Sequence, residues 1–181
     1  MQGVGIRGHR LLLRALTEAE IDAAWRDMLD ADPIAVAALP DEAAFRSRLR
    51  RSGVLDGGSL DLAVDLDGEY LGRIQTYVVP HRRLPPGVFE IGIGLREDAR
   101  GRGYGREALA LLTDWLFREA GATSIQAPTD PANIAMRTVF DRVGWRERGT
   151  LSEYDREWVL YGIERAEWAE LARDRATYGS N

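Results

Sequence analysis

Leu60, Leu62, Val64 and Leu66 alternate with Asp61, Ala63 and Asp65, and this period of two predicts a strand with one buried face. Asp67-Gly68 supplies a two-residue hairpin signal, so Leu71 to Val79 is read as the returning strand. A loop rich in Pro and Arg runs from Pro80 to Gly87. Alternation resumes from Val88 to Leu95, with Phe89, Ile91, Ile93 and Leu95 on one face and Glu90, Gly92 and Gly94 on the other. The period then changes. Ala108, Leu109, Leu112, Trp115 and Leu116 recur at helical spacing and predict a helix opened by a glycine-rich run and ended by Gly121.

The flanking segments complete the order. Leu11 to Arg14 reads as a short opening strand. Thr17 and Glu20 have capping-box spacing ahead of a helix whose Ile21, Ala24, Trp25 and Met28 share a face. Pro33 and Pro40 interrupt this region, and Asp41 caps a second helix to about Arg51. Ser124 to Ala127 predicts a strand, and Asn133 to Arg142 a helix closed by Gly144. Trp145 to Thr150 and Trp158 to Ile163 predict two strands able to pair antiparallel, and Glu164 to Tyr178 a last helix. The order β-α-α-β-β-β-α-β-α-β-β places an antiparallel run before a βαβα unit. It predicts an α/β chain (α+β in its segregation) on one mixed sheet, with helices on the faces. No repeat or composition break marks a boundary, so residues 1–181 are read as a single domain.

Composition narrows the chemistry. Of 181 residues, 45% are hydrophobic and 29% charged, enough apolar material to offset chain entropy. The net charge of −5 argues against binding nucleic acid through overall charge. All 24 basic residues are arginine, which rules out a lysine Schiff base and a Walker phosphate loop. The chain contains no cysteine, so thiolate zinc sites and cysteine nucleophiles are excluded. His9 and His81 are the only histidines and have no metal-ligand spacing, so no metal is expected. No apolar run approaches the roughly 18 to 20 residues of a membrane helix. Arg7, Arg10 and Arg14 make the first residues a poor secretory signal. A cytoplasmic location without membrane association is the expectation.

The run Arg100-Gly-Arg-Gly-Tyr-Gly105 lies between a strand and a helix. A helix N-terminus presents unpaired N–H groups and a positive dipole end, glycine lets backbone approach a phosphate, and Arg100, Arg102 and Arg106 add charge there. A pyrophosphate is the ligand this pattern suits; a plain glycine-rich turn with solvated arginines is the alternative. The spacing fails the dinucleotide fingerprint G-x-G-x-x-G, because Gly101, Gly103 and Gly105 stand two apart. It matches R-x-x-G-x-G at Arg100, Gly103 and Gly105.

On these residues the chain resembles the GNAT acyl-CoA N-acyltransferases, in particular the ribosomal-protein N-terminal acetyltransferase (RimJ/RimL-like) branch. The resemblance covers about His9 to Trp168. It is carried by Leu11-Leu-Leu-Arg-Ala-Leu-Thr17, by Glu90-Ile-Gly-Ile-Gly-Leu95 with Arg100 to Glu107, by Asp130-Pro-Ala-Asn133 with Val143-Gly-Trp145, and by Val159-Leu-Tyr161. It implies a GNAT-type, mostly antiparallel sheet splayed at the coenzyme site, with acetyl-CoA as co-substrate. Backbone N–H groups from Arg100, Gly101, Arg102, Gly103, Tyr104 and Gly105 would hold the pyrophosphate, with Arg106 adding charge. Main-chain groups of Ile93 and Leu95 would pair with the pantetheine arm like an added strand. The Asn133 side chain would hydrogen-bond the pantetheine region; read from the residues alone, Asn133 is a helix N-cap.

Acyl transfer from a thioester needs a neutral amine, a stabilised oxyanion and a proton for the leaving thiolate. Glu90 is the candidate base, and a solvated strand residue is its plain reading. The match fails at the acid: Met136 and Phe140 stand where relatives carry Ser and Tyr, so both are read as packing residues near the thioester. Tyr154, Ser152, Tyr161 or solvent is left to donate, with Tyr154 the candidate catalytic acid. The expected activity is N-acetylation of a primary amine, a peptide N-terminus or a small molecule, by a monomer or homodimer. A non-catalytic acyl-CoA binder is the rival of a different class.

Overall fold

The computed structural model describes residues 3–29, 41–78, 82 and 84–178, the side chains of 175–178 excepted. Pro33, Pro40 and His81 lie outside the described residues. The chain divides into two compact units, Met1–Val78 with Gly92–Leu111 and Val79–Ile91 with Leu112–Asn181. Eight strands and five α-helices occur among the described residues, and the strand pairing is mostly antiparallel.

The first unit contains β1 (Ile6–Arg7), β2 (Leu12–Arg14), α1 (Glu18–Leu29), α2 (Glu42–Leu49), β3 (Leu60–Leu66) and β4 (Glu69–Tyr77). It also holds the second half of β5 (Val88–Leu95), a 3₁₀ turn at Glu97–Ala99 and the start of α3 (Tyr104–Arg118). The strands run in the order β1-β2-β3-β4-β5. The α1 cap is reciprocal: Glu20 N–H donates to Thr17 Oγ1 at 3.4 Å and Thr17 N–H to Glu20 Oε2 at 2.8 Å. Asp41 caps α2 by accepting from Ala44 N–H at 2.8 Å. Ile21 and Ala24 bury against Leu16, Phe45, Leu49, Ala63 and Tyr70, with Trp25 and Met28 packed beside them.

Two features depart from the sequence reading here. A two-residue strand, Ile6–Arg7, precedes the expected first one and pairs with Leu12 and Leu13. More consequentially, β3 is buried on both faces: Asp61 and Asp65 are 4% and 3% exposed. Arg73 pairs with Asp61 at 2.6 Å, and Arg14 with Asp65 at 2.5 Å. Alternation marked the polar face correctly, but arginines distant in sequence cover it. The hairpin turn forms as predicted, with Asp67 and Gly68 at φ +51° and +92°. On β4, Gly72 has φ +148°, and a Cβ there would run into the Gly94 carbonyl and lie 2.7 Å from Leu95 Cα. Glycine is what allows β5 to approach so closely.

The second unit contains the first half of β5, the second half of α3, β6 (Ser124–Thr129), α4 (Ile134–Val143), β7 (Arg146–Glu153), β8 (Arg156–Glu164) and α5 (Arg165–Tyr178). Its strand order is β5-β6-β8-β7. β5 and β6 are parallel and pair from Val88↔Ser124 to Glu90↔Gln126, where the ladder ends. Gly144 takes the left-handed C-cap of α4 at φ +101°, and Trp145 follows it into the core at 1% exposure. Phe140 stacks between Trp145 and Tyr161, with ring centroids 5.2 and 4.9 Å away.

The last two strands are longer than their hydrophobic pattern predicts. Tyr154 and Asp155, at φ +53° and +55°, join them in a two-residue turn that carries no glycine to announce it. On α3, Trp115 is only half-buried, while Phe117 is 4% exposed and Thr113 fully buried. Met136 is likewise half-buried, unlike Phe140 at 2%.

Candidate active site

In the first unit the chain leaves β5 with Arg96 N–H donating to the Leu71 carbonyl at 2.9 Å, and Ala99 seats the 3₁₀ turn in the core. Gly101 and Gly103 then take φ +73° and +82°, a conformation that disfavours side chains, and α3 starts at Tyr104. Gly105 is different. Its backbone is not left-handed, and a Cβ there would meet Leu95 Cδ1 at an ordinary 3.6 Å. Neither backbone nor packing requires glycine at 105, and its absent side chain leaves the first-turn N–H groups of α3 approachable.

Arg100, Arg102 and Arg106 are exposed and have no carboxylate partner among the described residues. Arg100 Nε donates to the Leu95 carbonyl at 2.9 Å, so the guanidinium sits back over the strand end. A chain of net charge −5 thus gathers three uncompensated cations at one helix N-terminus. Arg10, which sequence reasoning missed, braces this turn. It pairs with Glu107 at 2.9 Å, donates to the Arg102 carbonyl at 3.2 Å, and lies 4.8 Å from the Tyr104 ring centroid. Burial pushes the Glu107 carboxyl up, but the N–H groups of Arg10 and Leu11 and the Arg10 guanidinium outweigh it and hold Glu107 below its ordinary value.

Beside the turn lies a cavity of about 950 Å³. Ile93 and Leu95 line it, together with Tyr70, Arg73, Gln75 and Tyr77 of β4 and Asp27 of α1. The β4 side chains were also missed; their signal was the polar period of two at Arg73, Gln75 and Tyr77. Burial, and after it the Asp27 charge, pushes the Tyr70 hydroxyl up to about 12, so it is a neutral donor at neutral pH.

The second unit holds Glu90, Asn133 and Tyr154. Glu90 is 1% exposed, which corrects its reading as a solvated strand residue. Its Oε2 accepts from Arg82 at 2.6 Å and from Gln126 Nε2 at 3.0 Å, while its Oε1 has no partner among the described residues. Arg82 also lies 2.7 Å from Glu153, so one guanidinium bridges two carboxylates. Loop burial and ion pairing of this kind leave no periodic trace, and sequence reasoning did not single out Arg82. An orphaned buried acceptor is costly unless something donates to it.

Asn133 is the exposed N-cap of α4, its Oδ1 accepting from Met136 N–H at 3.0 Å. Its amide N–H₂ group is not used in the cap. Tyr154 is 56% exposed in the β7–β8 turn, and Ser152 is exposed on β7. Tyr161 is buried and accepts from Arg137 Nε at 3.4 Å. His9 is exposed, and no group of three metal-ligating side chains occurs among the described residues. No helix among them is long and apolar enough to cross a membrane.

Comparison with known proteins places this architecture. The acetyltransferase (GNAT) domain family matches residues 10–146. A curated relative, the uncharacterised protein YkkB of Bacillus subtilis (strain 168), is 31% identical over 106 residues, covering 58% of this chain and 60% of YkkB. The match thus spans less than two thirds of that relative's length. Among solved structures, aminoglycoside acetyltransferase AAC(6')-Ib in complex with coenzyme A superimposes with TM-score 0.71 at 22% identity, over 90% of this chain and 99% of that one. Mycobacterium smegmatis RimJ in complex with CoA-disulfide superimposes with TM-score 0.66 at 22% identity, over 94% of each chain. With the family match spanning well over half of its residues, the chain belongs to the GNAT acetyltransferase family.

Proposed function

We propose that the protein transfers the acetyl group of acetyl-CoA to a primary amine by direct attack, without a covalent enzyme intermediate. The observation that carries this reading is the N-terminus of α3: an open turn, a glycine at 105 that the fold itself does not need, and three exposed arginines without carboxylate partners among the described residues. That is the chemistry of a pyrophosphate cradle. N–H groups from Gly101 to Gly105 bind the pyrophosphate; the Arg100 N–H donates to the Glu97 carbonyl at 3.1 Å, so Arg100 contributes with Arg106 through charge, and main-chain groups of Ile93 and Leu95 hold the pantetheine arm. Asn133 offers its unused amide to the same co-substrate.

The amine nitrogen forms the new C–N bond at the thioester carbonyl, and the C–S bond breaks as the oxyanion collapses. A backbone N–H near Leu95 stabilises the oxyanion. The amine proton passes to Glu90 Oε1, directly or through water, because that oxygen is the unpartnered one. The leaving thiolate takes its proton from Tyr154 or from solvent, since Met136 and Phe140 cannot donate. The acceptor is a peptide N-terminus or a small molecule; of the neighbours, AAC(6')-Ib is an aminoglycoside acetyltransferase, and RimJ is described in complex with CoA-disulfide.

Phe140 favours one second reading, a non-catalytic acyl-CoA binder. At the position where relatives carry a hydroxyl, its ring is fully engaged in the Trp145–Tyr161 stack. Thiol release measured over a panel of amines and peptides, alongside calorimetric coenzyme binding, separates the two. Amine-dependent release supports the enzyme; tight binding with no release of thiol supports the binder.

A further inference from the structure

The wall that β4 gives to the cavity of the first unit carries more positive charge than carboxylate. Arg73 is only 16% exposed, and its one ionic partner among the described residues is Asp61, at 2.6 Å. Asp61 is itself shared, because Arg48 Nε lies 3.4 Å from its other oxygen. The two guanidinium groups flank the Phe45 ring at 5.2 and 5.3 Å. Guanidinium stays protonated in proteins, so two cations share one anion. Burial pushes Arg73 below its ordinary value and Arg48 adds to that, against the pull of Asp61. A buried charge with half a partner is unfavourable until another anion arrives.

Among the described residues, the acids of the same cavity do not meet that need. Asp27, Glu97 and Asp98 are all exposed, none of the three pairs with Arg73, and Asp98 is held by Arg96 at 2.6 Å. Two residues along β4, on the face of Arg73, Gln75 has a buried Oε1 with no hydrogen-bond partner among the described residues. One end of this stripe shares its anion with a second cation, and the other lacks an N–H donor. Successive same-face positions on a strand stand roughly 6.5 to 7 Å apart. A molecule with an amine and a carboxylate separated by one to three carbons fits that span, given the reach of both side chains.

We infer that the acceptor is a small amine bearing a carboxylate, of the amino-acid type, with its carboxylate on Arg73 and its amine N–H on Gln75 Oε1. The role of the amine as acetyl acceptor rests on the function proposed above; recognition of the carboxylate does not.

Matched trios test this: a free amino acid, its carboxamide and its decarboxylated amine, built on small, aliphatic, aromatic, acidic and basic side chains. Calorimetry gives the affinity of each for the full-length protein and for Arg73→Gln, which leaves Asp61 and Arg48 as a balanced pair. Thiol release with acetyl-CoA is followed on the same compounds. The expected result is at least a tenfold preference for the carboxylate member of one trio in the wild type. That preference disappears in Arg73→Gln, and coenzyme A affinity changes less than twofold. Should the variant not fold, the wild-type comparison of carboxylate with carboxamide decides alone. Equal affinities across every trio, no binding of any carboxylate, a preference that survives in Arg73→Gln, or loss of coenzyme affinity each overturns the inference. Selective carboxylate binding without thiol release supports the inference and sinks the proposed activity. Acetylation indifferent to the carboxylate, or favouring a C-terminally amidated peptide over every amino acid, does the reverse.

Discussion

At Gly105 a side chain is permitted by backbone and by neighbours, so the function of the glycine is exposed by substitution. The Cβ that Gly105→Val adds meets Leu95 Cδ1 at an ordinary 3.6 Å, on a backbone that is not left-handed. It is predicted to lower coenzyme A affinity at least about tenfold, roughly 1.4 kcal/mol, with little change in melting temperature. Calorimetry showing unchanged affinity in the folded variant contradicts the cradle. Gly103 is a poorer probe, because its φ of +82° strains any replacement. Phe140 and Met136 test the missing acid. If Tyr154 or solvent protonates the thiolate, Phe140→Tyr and Met136→Ser change steady-state turnover by less than about tenfold. A general acid contributes about 10²- to 10⁴-fold, so a gain of 100-fold in either folded variant shows that the native site lacks one. Phe140→Tyr must find room for a hydroxyl beside Trp145 and Tyr161, whereas half-buried Met136 tolerates the change better.

Among the elements, Glu107 ties the start of β2 to α3 and thereby sets the helix end that bears the proposed cradle. It accepts from Arg10 N–H at 2.7 Å and from Leu11 N–H at 3.1 Å. Glu20 does similar service between α1 and β2, its carboxyl held low by the hydrogen bond from Arg14 against the effect of burial. Both carboxyls sit below the ordinary 4.5. A lowered group contributes its stability above the unfolded value and loses it as pH falls through the folded value. The protein is therefore predicted to lose stability below about pH 4.5 as these groups protonate. Glu107→Gln lowers the melting temperature at pH 7 and flattens the acid limb of the profile. A variant limb as steep as the wild type contradicts this assignment. The elements themselves were largely legible, because period-two and period-3.6 patterns, the Thr17–Glu20 cap and the Asp67-Gly68 turn are local. What escaped was non-local or unsignalled. Asp61 and Asp65 look solvated until Arg73 and Arg14 are brought beside them. The Tyr154-Asp155 turn carries no glycine, so β7 and β8 were read too short.

For the molecule taken whole, charge distribution matters more than charge total. The −5 excess argues against polyanion partners, yet arginines without carboxylate partners collect at the start of α3, and Arg73 shares its one carboxylate with Arg48. The proposed cradle was readable because glycines and arginines cluster in sequence there. The β4 stripe and the Arg82 bridge were not, since each assembles from segments far apart along the chain. The proposed activity is movement of an acetyl group from thioester to amine without a stop on the protein. Its most direct test is acetyl-CoA labelled in the acetyl carbon, incubated with the protein and the amine panel, with products and intact protein weighed by mass spectrometry. The account predicts label on the nitrogen of one amine, released thiol in equal amount, and none covalently held by the protein. Label retained on the protein, or no labelled amine from any acceptor, contradicts it.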